Sequence, residues 1–82
     1  MDPDFLSVPV GGVITQAALQ SDIETVRSHG RGGWQLVMSM PDHEMPAHSW
    51  LIGLEHATGR RERRRFQLAG EEDGQPVWRR VE

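Results

Sequence analysis

Three glycines in the four residues before Trp34 constrain this chain more than any other feature. Gly30, Gly32 and Gly33 lack a Cβ, so the backbone there can take positive φ and turn sharply from a helix into a strand. After this turn the apolar side chains alternate with the two-residue period of a strand that has one buried side. The pattern predicts that one face of this strand forms the centre of the core and carries Trp34, Leu36, Met38 and Met40.

A helix is predicted immediately before the glycines, ending at about His29. Ser21-Asp22-Ile23-Glu24 matches a capping box, in which the Ser21 and Glu24 side chains each accept from the other residue's backbone N–H. A start near Thr15 instead would align three apolar residues in one stripe that packs on the sheet: Leu19, Ile23 and Val26. Both starts remain open, and Gly30 is the natural residue to end the helix.

Alternating apolar residues predict further strands on both sides of this unit. The first is expected at Phe5–Val10. The partner of the Trp34 strand is expected at Ser49–Ala57, with Trp50, Ile52, Leu54 and His56 on one face. Arg60–Ala69 and Val77–Glu82 are expected to form a C-terminal hairpin. Together these elements predict an α+β fold, in which one helix packs on an antiparallel sheet of four to five strands in β-α-β-β order followed by the hairpin.

Length and composition point to one domain, residues 1–82, in the cytoplasm. The chain has no cysteine, its acidic start lacks the layout of a signal peptide, and its apolar runs are far too short to span a bilayer. A net charge of −3 opposes indiscriminate binding to nucleic acid. No nucleophile elbow or phosphate-binding glycine loop is present, so neither an enzyme nor a bound cofactor is predicted.

The residues Gly33-Trp34-Gln35-Leu36-Val37 give the chain a resemblance to a known family. They are similar to the Gly-Trp-Glu-Leu-Val signature of small bacterial domains of unknown function, although Gln35 stands where that family has an acid. The resemblance covers about residues 5–57. It implies the β-α-β-β order and carries no assigned activity.

The charge run Arg60-Arg61-Glu62-Arg63-Arg64-Arg65 is the clearest candidate for recognition. On a strand, alternate arginines project from one face about 6 to 7 Å apart, and such a row can meet an acidic protein surface or a phosphate backbone. We predict a partner-binding site made of Arg61, Arg63, Arg65, Trp78 and Arg80. A solvated edge strand whose charges prevent aggregation would give the same pattern.

A second cluster gathers soft ligands around the predicted loop at residues 41–48. Thioethers with imidazoles suit copper(I), and zinc is a further candidate for the imidazoles. The candidate metal ligands are Met38, Met40, His43, Met45 and His48. Ordinary core methionines and solvated histidines would explain the same residues.

These observations favour a small non-enzymatic protein-interaction or regulatory module. We expect it to bind a protein partner through the arginine-rich hairpin, and to form a homodimer through a sheet edge. A metal-binding protein that uses the Met/His loop is the first alternative, and a nucleic-acid-binding module is the second.

Overall fold

The computed structural model describes residues 2–42 and 48–82, and within them the chain forms one α-helix and a five-stranded antiparallel sheet. A 3-10 helix (Asp4–Ser7) is followed by β1 (Val13–Thr15), α1 (Gln16–His29), β2 (Trp34–Asp42), β3 (Ser49–His56), β4 (Arg61–Glu72) and β5 (Gln75–Arg80). The strands lie in the order β1-β5-β4-β3-β2, so β1 and β2 are the two edges. The predicted α+β class and order of elements are confirmed.

Thr15 caps the start of α1, whose first residue is Gln16, and the predicted start at Ser21 is wrong. The Thr15 Oγ1 atom accepts a hydrogen bond from the Ala18 N–H at 3.2 Å, which satisfies one of the unpaired donors of the first turn. Ser21 and Glu24 lie inside the helix. The early start gives the predicted buried stripe of Leu19, Ile23 and Val26, and Gly30 ends the helix with a φ of +68°.

The predicted strand at Phe5–Val10 is wrong, because a buried carboxylate holds this segment against α1. Phe5 lies in the 3-10 helix with its side chain fully buried, and its N–H donates to Asp22 Oδ2 at 2.9 Å. Asp22 also accepts from Arg31 Nη1 at 3.2 Å. The Phe5 N–H therefore pairs with a side chain instead of a strand, and the first strand begins only at Val13.

Trp34 anchors the turn between α1 and β2, as the sequence predicts. Its side chain is 3% exposed, and its Nε1 donates to Asp2 Oδ1 at 3.1 Å. The His56 ring meets it edge-on with 4.9 Å between ring centres, and the Arg60 guanidinium lies 5.6 Å from the indole centre. Gly33 has a φ of +87°, and a Cβ there would lie 2.6 Å from His56 Nε2, so only glycine fits before Trp34.

The two faces of the sheet differ because α1 packs on only one of them. That inner face carries the core side chains of the strands, and the predicted buried set on β3 is confirmed for Trp50, Ile52 and Leu54. The sheet contributes Trp34, Trp50, Ile52, Leu54, Phe66 and Trp78 to the core cluster. The opposite face, which α1 does not cover, is the outer face.

A β-bulge in β2 changes which face its later residues occupy. Leu36 pairs with Leu54 and Met38 pairs with Gly53, which leaves Val37 as an extra residue between them. Because side chains alternate along a strand, one extra residue moves every later side chain to the other face.

The two methionines of β2 consequently lie on the outer face. Met38 and Met40 pair with the outer-face positions of β3, whereas Ser39 turns inward and accepts from Trp50 Nε1 at 3.0 Å. The prediction that Met38 and Met40 share the core face of Trp34 and Leu36 is therefore wrong.

No helix in residues 2–42 and 48–82 is long and apolar enough to cross a membrane.

Candidate functional site

Three arginines form a row on the outer face of β4. Arg61, Arg63 and Arg65 pair with Glu55, Gly53 and Leu51 of β3, which are the outer-face positions of that strand. The three guanidinium-bearing side chains therefore share one side of the sheet, with a repeat of about 6 to 7 Å along the strand. The structure thus brings together the part of the predicted site that lies on β4.

Trp78 and Arg80 lie on the inner side of β5, so their predicted place beside that row is wrong. The Trp78 side chain is fully buried, and its ring meets Trp50 edge-on with 5.2 Å between centres. Its Nε1 donates to Gln16 Oε1 at 3.1 Å. Arg80 pairs with Phe66 and donates from Nη1 to the Val8 carbonyl at 2.8 Å.

Arg79 takes the place that the sequence interpretation gave to these two residues. It is exposed and pairs with Gln67, an outer-face position of β4, so it stands across the strand gap from the arginine row. Successive side chains of a strand point to opposite faces, so Arg79 could not share a face with Trp78 or Arg80. The pairing register of β5 with β4 determines which residues of β5 lie on the outer face, and this register could not be predicted from the sequence.

The arginines of the outer face differ in how far their charge is already paired. Arg61 Nε lies 2.8 Å from Glu55 Oε2, and Arg65 Nε lies 3.5 Å from Glu82 Oε2. Within the described part of the chain, Arg63 and Arg79 form no ion pair. These two side chains are therefore the ones most available to an external carboxylate.

Glu62 pairs with the two remaining arginines of the charge run, Arg60 and Arg64. Hydrogen bonds from Arg60 and then from Arg64 lower the pKa of the Glu62 carboxyl below its ordinary value of 4.5. The carboxylate therefore stays ionised at neutral pH and holds Arg60 and Arg64 beside it. This pairing separates Arg60 and Arg64 from the row on the outer face.

Two exposed apolar side chains lie across β3 from the arginine row. Val37 is 61% exposed and Met40 is 57% exposed, and both belong to the edge strand β2. A depression of about 290 Å³ is lined by residues of β2, β3 and β4, and Gly53 of β3 is one of them. A glycine inside a strand often marks a close approach by another group, and this signal in the sequence could have identified the site.

The Met/His cluster is described only in part. Met38 and Met40 project from the outer face, and His48 precedes β3 with a φ of +43°, whereas His43 and Met45 lie outside the described residues. In residues 2–42 and 48–82, no group of three or more His, Cys, Asp or Glu side chains could hold a metal ion. The metal hypothesis stays a prediction.

The Phe and Trp side chains are buried. Phe5, Trp34, Trp50, Phe66 and Trp78, the five aromatic residues of the chain, are all at most 4% exposed. Proteins that bind single-stranded nucleic acid stack the bases on exposed aromatic rings. The outer face offers arginine and aliphatic or thioether side chains instead.

Comparison of the chain with protein-family models, with curated proteins and with solved structures finds no match. The resemblance to the Gly-Trp-Glu-Leu-Val domains stays a prediction.

Proposed function

We propose that this protein is a non-enzymatic interaction module that recognises a protein partner through the outer face of its sheet. The observation that carries the proposal is the exposure of Val37 and Met40 on β2, across β3 from the arginine row of β4, with Val37 lining the same depression as Arg61 and Arg63. Exposed apolar surface rimmed by polar side chains is typical of sites that a partner covers. Arginine is enriched in such interfaces, because its planar group pairs with carboxylates and also packs on apolar atoms.

A protein partner fits this surface better than nucleic acid does. The whole chain carries a net charge of −3, which repels phosphates at long range. The five Phe and Trp side chains are all buried and offer no surface for base stacking. An acidic protein surface requires only local arginines, and apolar side chains of the partner can cover Val37 and Met40.

Reversing one charge on the outer face tests this proposal. Arg63→Glu is expected to reduce capture of the partner from a lysate of the native host at least about tenfold, because like charges across an interface cost several kcal/mol. The matched control is Arg27→Glu, which makes the same charge change on an exposed site of α1. The readout is quantitative mass spectrometry of nuclease-treated pull-downs.

Both variants should remain folded, with free energies of unfolding in urea within about 1 kcal/mol of the wild-type value. Equal capture by the two variants would refute the role of the outer face. Loss of the captured material on nuclease treatment would show that nucleic acid is the partner.

A further inference from the structure

We infer that the depression at Gly53 receives one apolar side chain of the partner, and that carboxylates flanking this side chain bind Arg61 and Arg63. The inference deepens the proposed function and rests on it. It assigns to the partner a short acidic segment with an aliphatic, methionine or phenylalanine anchor.

Gly53 lines the depression with backbone alone, and the Met38 side chain lies against it. Gly53 lies between Met38 of β2 and Arg63 of β4, which are its direct partners across the two strands. The depression is apolar on the β2 side and charged on the β4 side. On the β4 side Glu62 is already paired with Arg60 and Arg64, and Arg61 and Arg63 face an incoming group. Its lining residues are Val37, Met38, Gly53, Leu54, Arg61, Glu62 and Arg63. A Cβ at Gly53 would lie 3.0 Å from Met38 Cγ, so an added methyl group would displace the Met38 side chain.

The size of the depression favours one side chain over a separate small ligand. Its volume of about 290 Å³ is at the lower limit of the roughly 300 to 1,000 Å³ typical of small-molecule sites, and it is open to solvent. Interfaces between proteins, in contrast, draw much of their affinity from single anchors that fill pockets of this kind.

The charges around the depression favour acidic residues on either side of the partner's apolar anchor. Arg63 has no ion pair among the described residues, and Arg61 is paired only with Glu55, whose side chain is 43% exposed. An exposed ion pair of this type contributes little stability, so an incoming carboxylate can replace it. Alternate residues of an extended segment repeat about every 6 to 7 Å, which matches the repeat of Arg61 and Arg63 along β4.

A phage-displayed library of random dodecapeptides, selected on the immobilised wild-type protein, tests the inference. The selected peptides are expected to carry an aliphatic, methionine or phenylalanine residue with Asp or Glu within two positions. The best peptide is then synthesised with a fluorescent label, and its Kd is measured by anisotropy. Replacing its anchor by Ala, or its acids by Asn and Gln, is expected to weaken binding at least about tenfold.

Variants of the protein locate the binding site. Gly53→Ala and Val37→Ser are each expected to weaken peptide binding at least about fivefold, because they reshape the depression or remove one of its walls. Val10→Ser is the matched control for Val37→Ser, since Val10 is 66% exposed and does not line the depression. The control should bind the peptide as the wild type does.

Three results would overturn the inference. They are selected peptides without enriched acids, peptide binding that is equal in Val37→Ser and Val10→Ser, and tighter binding of a twelve-nucleotide single-stranded DNA than of the peptide. If one of them occurs while Arg63→Glu still abolishes capture of a protein, the proposed function survives and only the chemistry of the partner is wrong. If Arg63→Glu has no effect on capture, the proposed function itself fails.

Discussion

Trp78→Ala is expected to lower the free energy of unfolding by about 3 to 5 kcal/mol, the usual cost of deleting a buried aromatic side chain. The Trp78 ring is fully buried against Trp50, and its removal also leaves Gln16 Oε1 without the donor that it now accepts from. A domain of this size has a total stability of the same order, so the variant should be largely unfolded or close to it. Urea denaturation followed by circular dichroism measures the effect.

Two further variants keep this prediction decisive if Trp78→Ala fails to fold. Trp78→Phe retains most of the apolar volume and should lose only about 1 to 2 kcal/mol. The adjacent Arg79→Ala should change stability by no more than about 0.5 kcal/mol, because Arg79 is exposed. If Trp78→Ala cost as little as Arg79→Ala, Trp78 would lie at the surface, as the sequence suggested.

Asp22→Ala is expected to cost about 2 to 4 kcal/mol, because it removes the acceptor of the buried Phe5 N–H and one of the partners of Arg31. The Phe5 N–H loses its hydrogen bond to Asp22 Oδ2, and Arg31 loses its hydrogen bond to Asp22 Oδ1. The loss is costly because Phe5 and Asp22 are buried. The 3-10 helix that carries Phe5 should then detach from α1 more often. Urea denaturation gives the cost, and amide hydrogen exchange at Phe5 reports the detachment.

Asp4→Ala is the matched control for this prediction. Asp4 also lies near Arg31, with 3.6 Å between Oδ1 and Nη2, but its side chain is 76% exposed. Exposed pairs of this kind contribute at most about 1 kcal/mol. Equal costs for Asp22→Ala and Asp4→Ala would contradict the assignment of Asp22 as the group that fixes the N-terminal segment.

The fold was predictable because its strongest signals are local. The glycines before Trp34 favour a turn whatever the pairing of the strands that follow it. The spacing of Leu19, Ile23 and Val26 likewise indicates a helix, whichever residue begins it. The choice between the two helix starts depends on which hydroxyl meets a free N–H. Thr15 and Ser21 are equally suited to that role, so the sequence left both open.

The composition of the outer face was less predictable because two β-bulges change the register. The bulge at Val37 turns Met38 and Met40 outward, and the shift between Leu68 and Gly70 sets the pairing of β4 with β5. Alternation identifies which residues share a face only up to the first extra residue. The row on β4 was correctly grouped, because no bulge interrupts β4 between Arg61 and Arg65.

Photo-crosslinking in the native host tests the role of the outer face most directly. A diazirine-bearing amino acid replaces Met40, which is 57% exposed on the outer face, and in a second strain it replaces the exposed Ala17 of α1. Position 40 is expected to give an adduct with a different protein, and this adduct should disappear when Arg63→Glu is added. Position 17 should not give that adduct. The same adducts at both positions, or none at position 40, would contradict a protein-binding outer face.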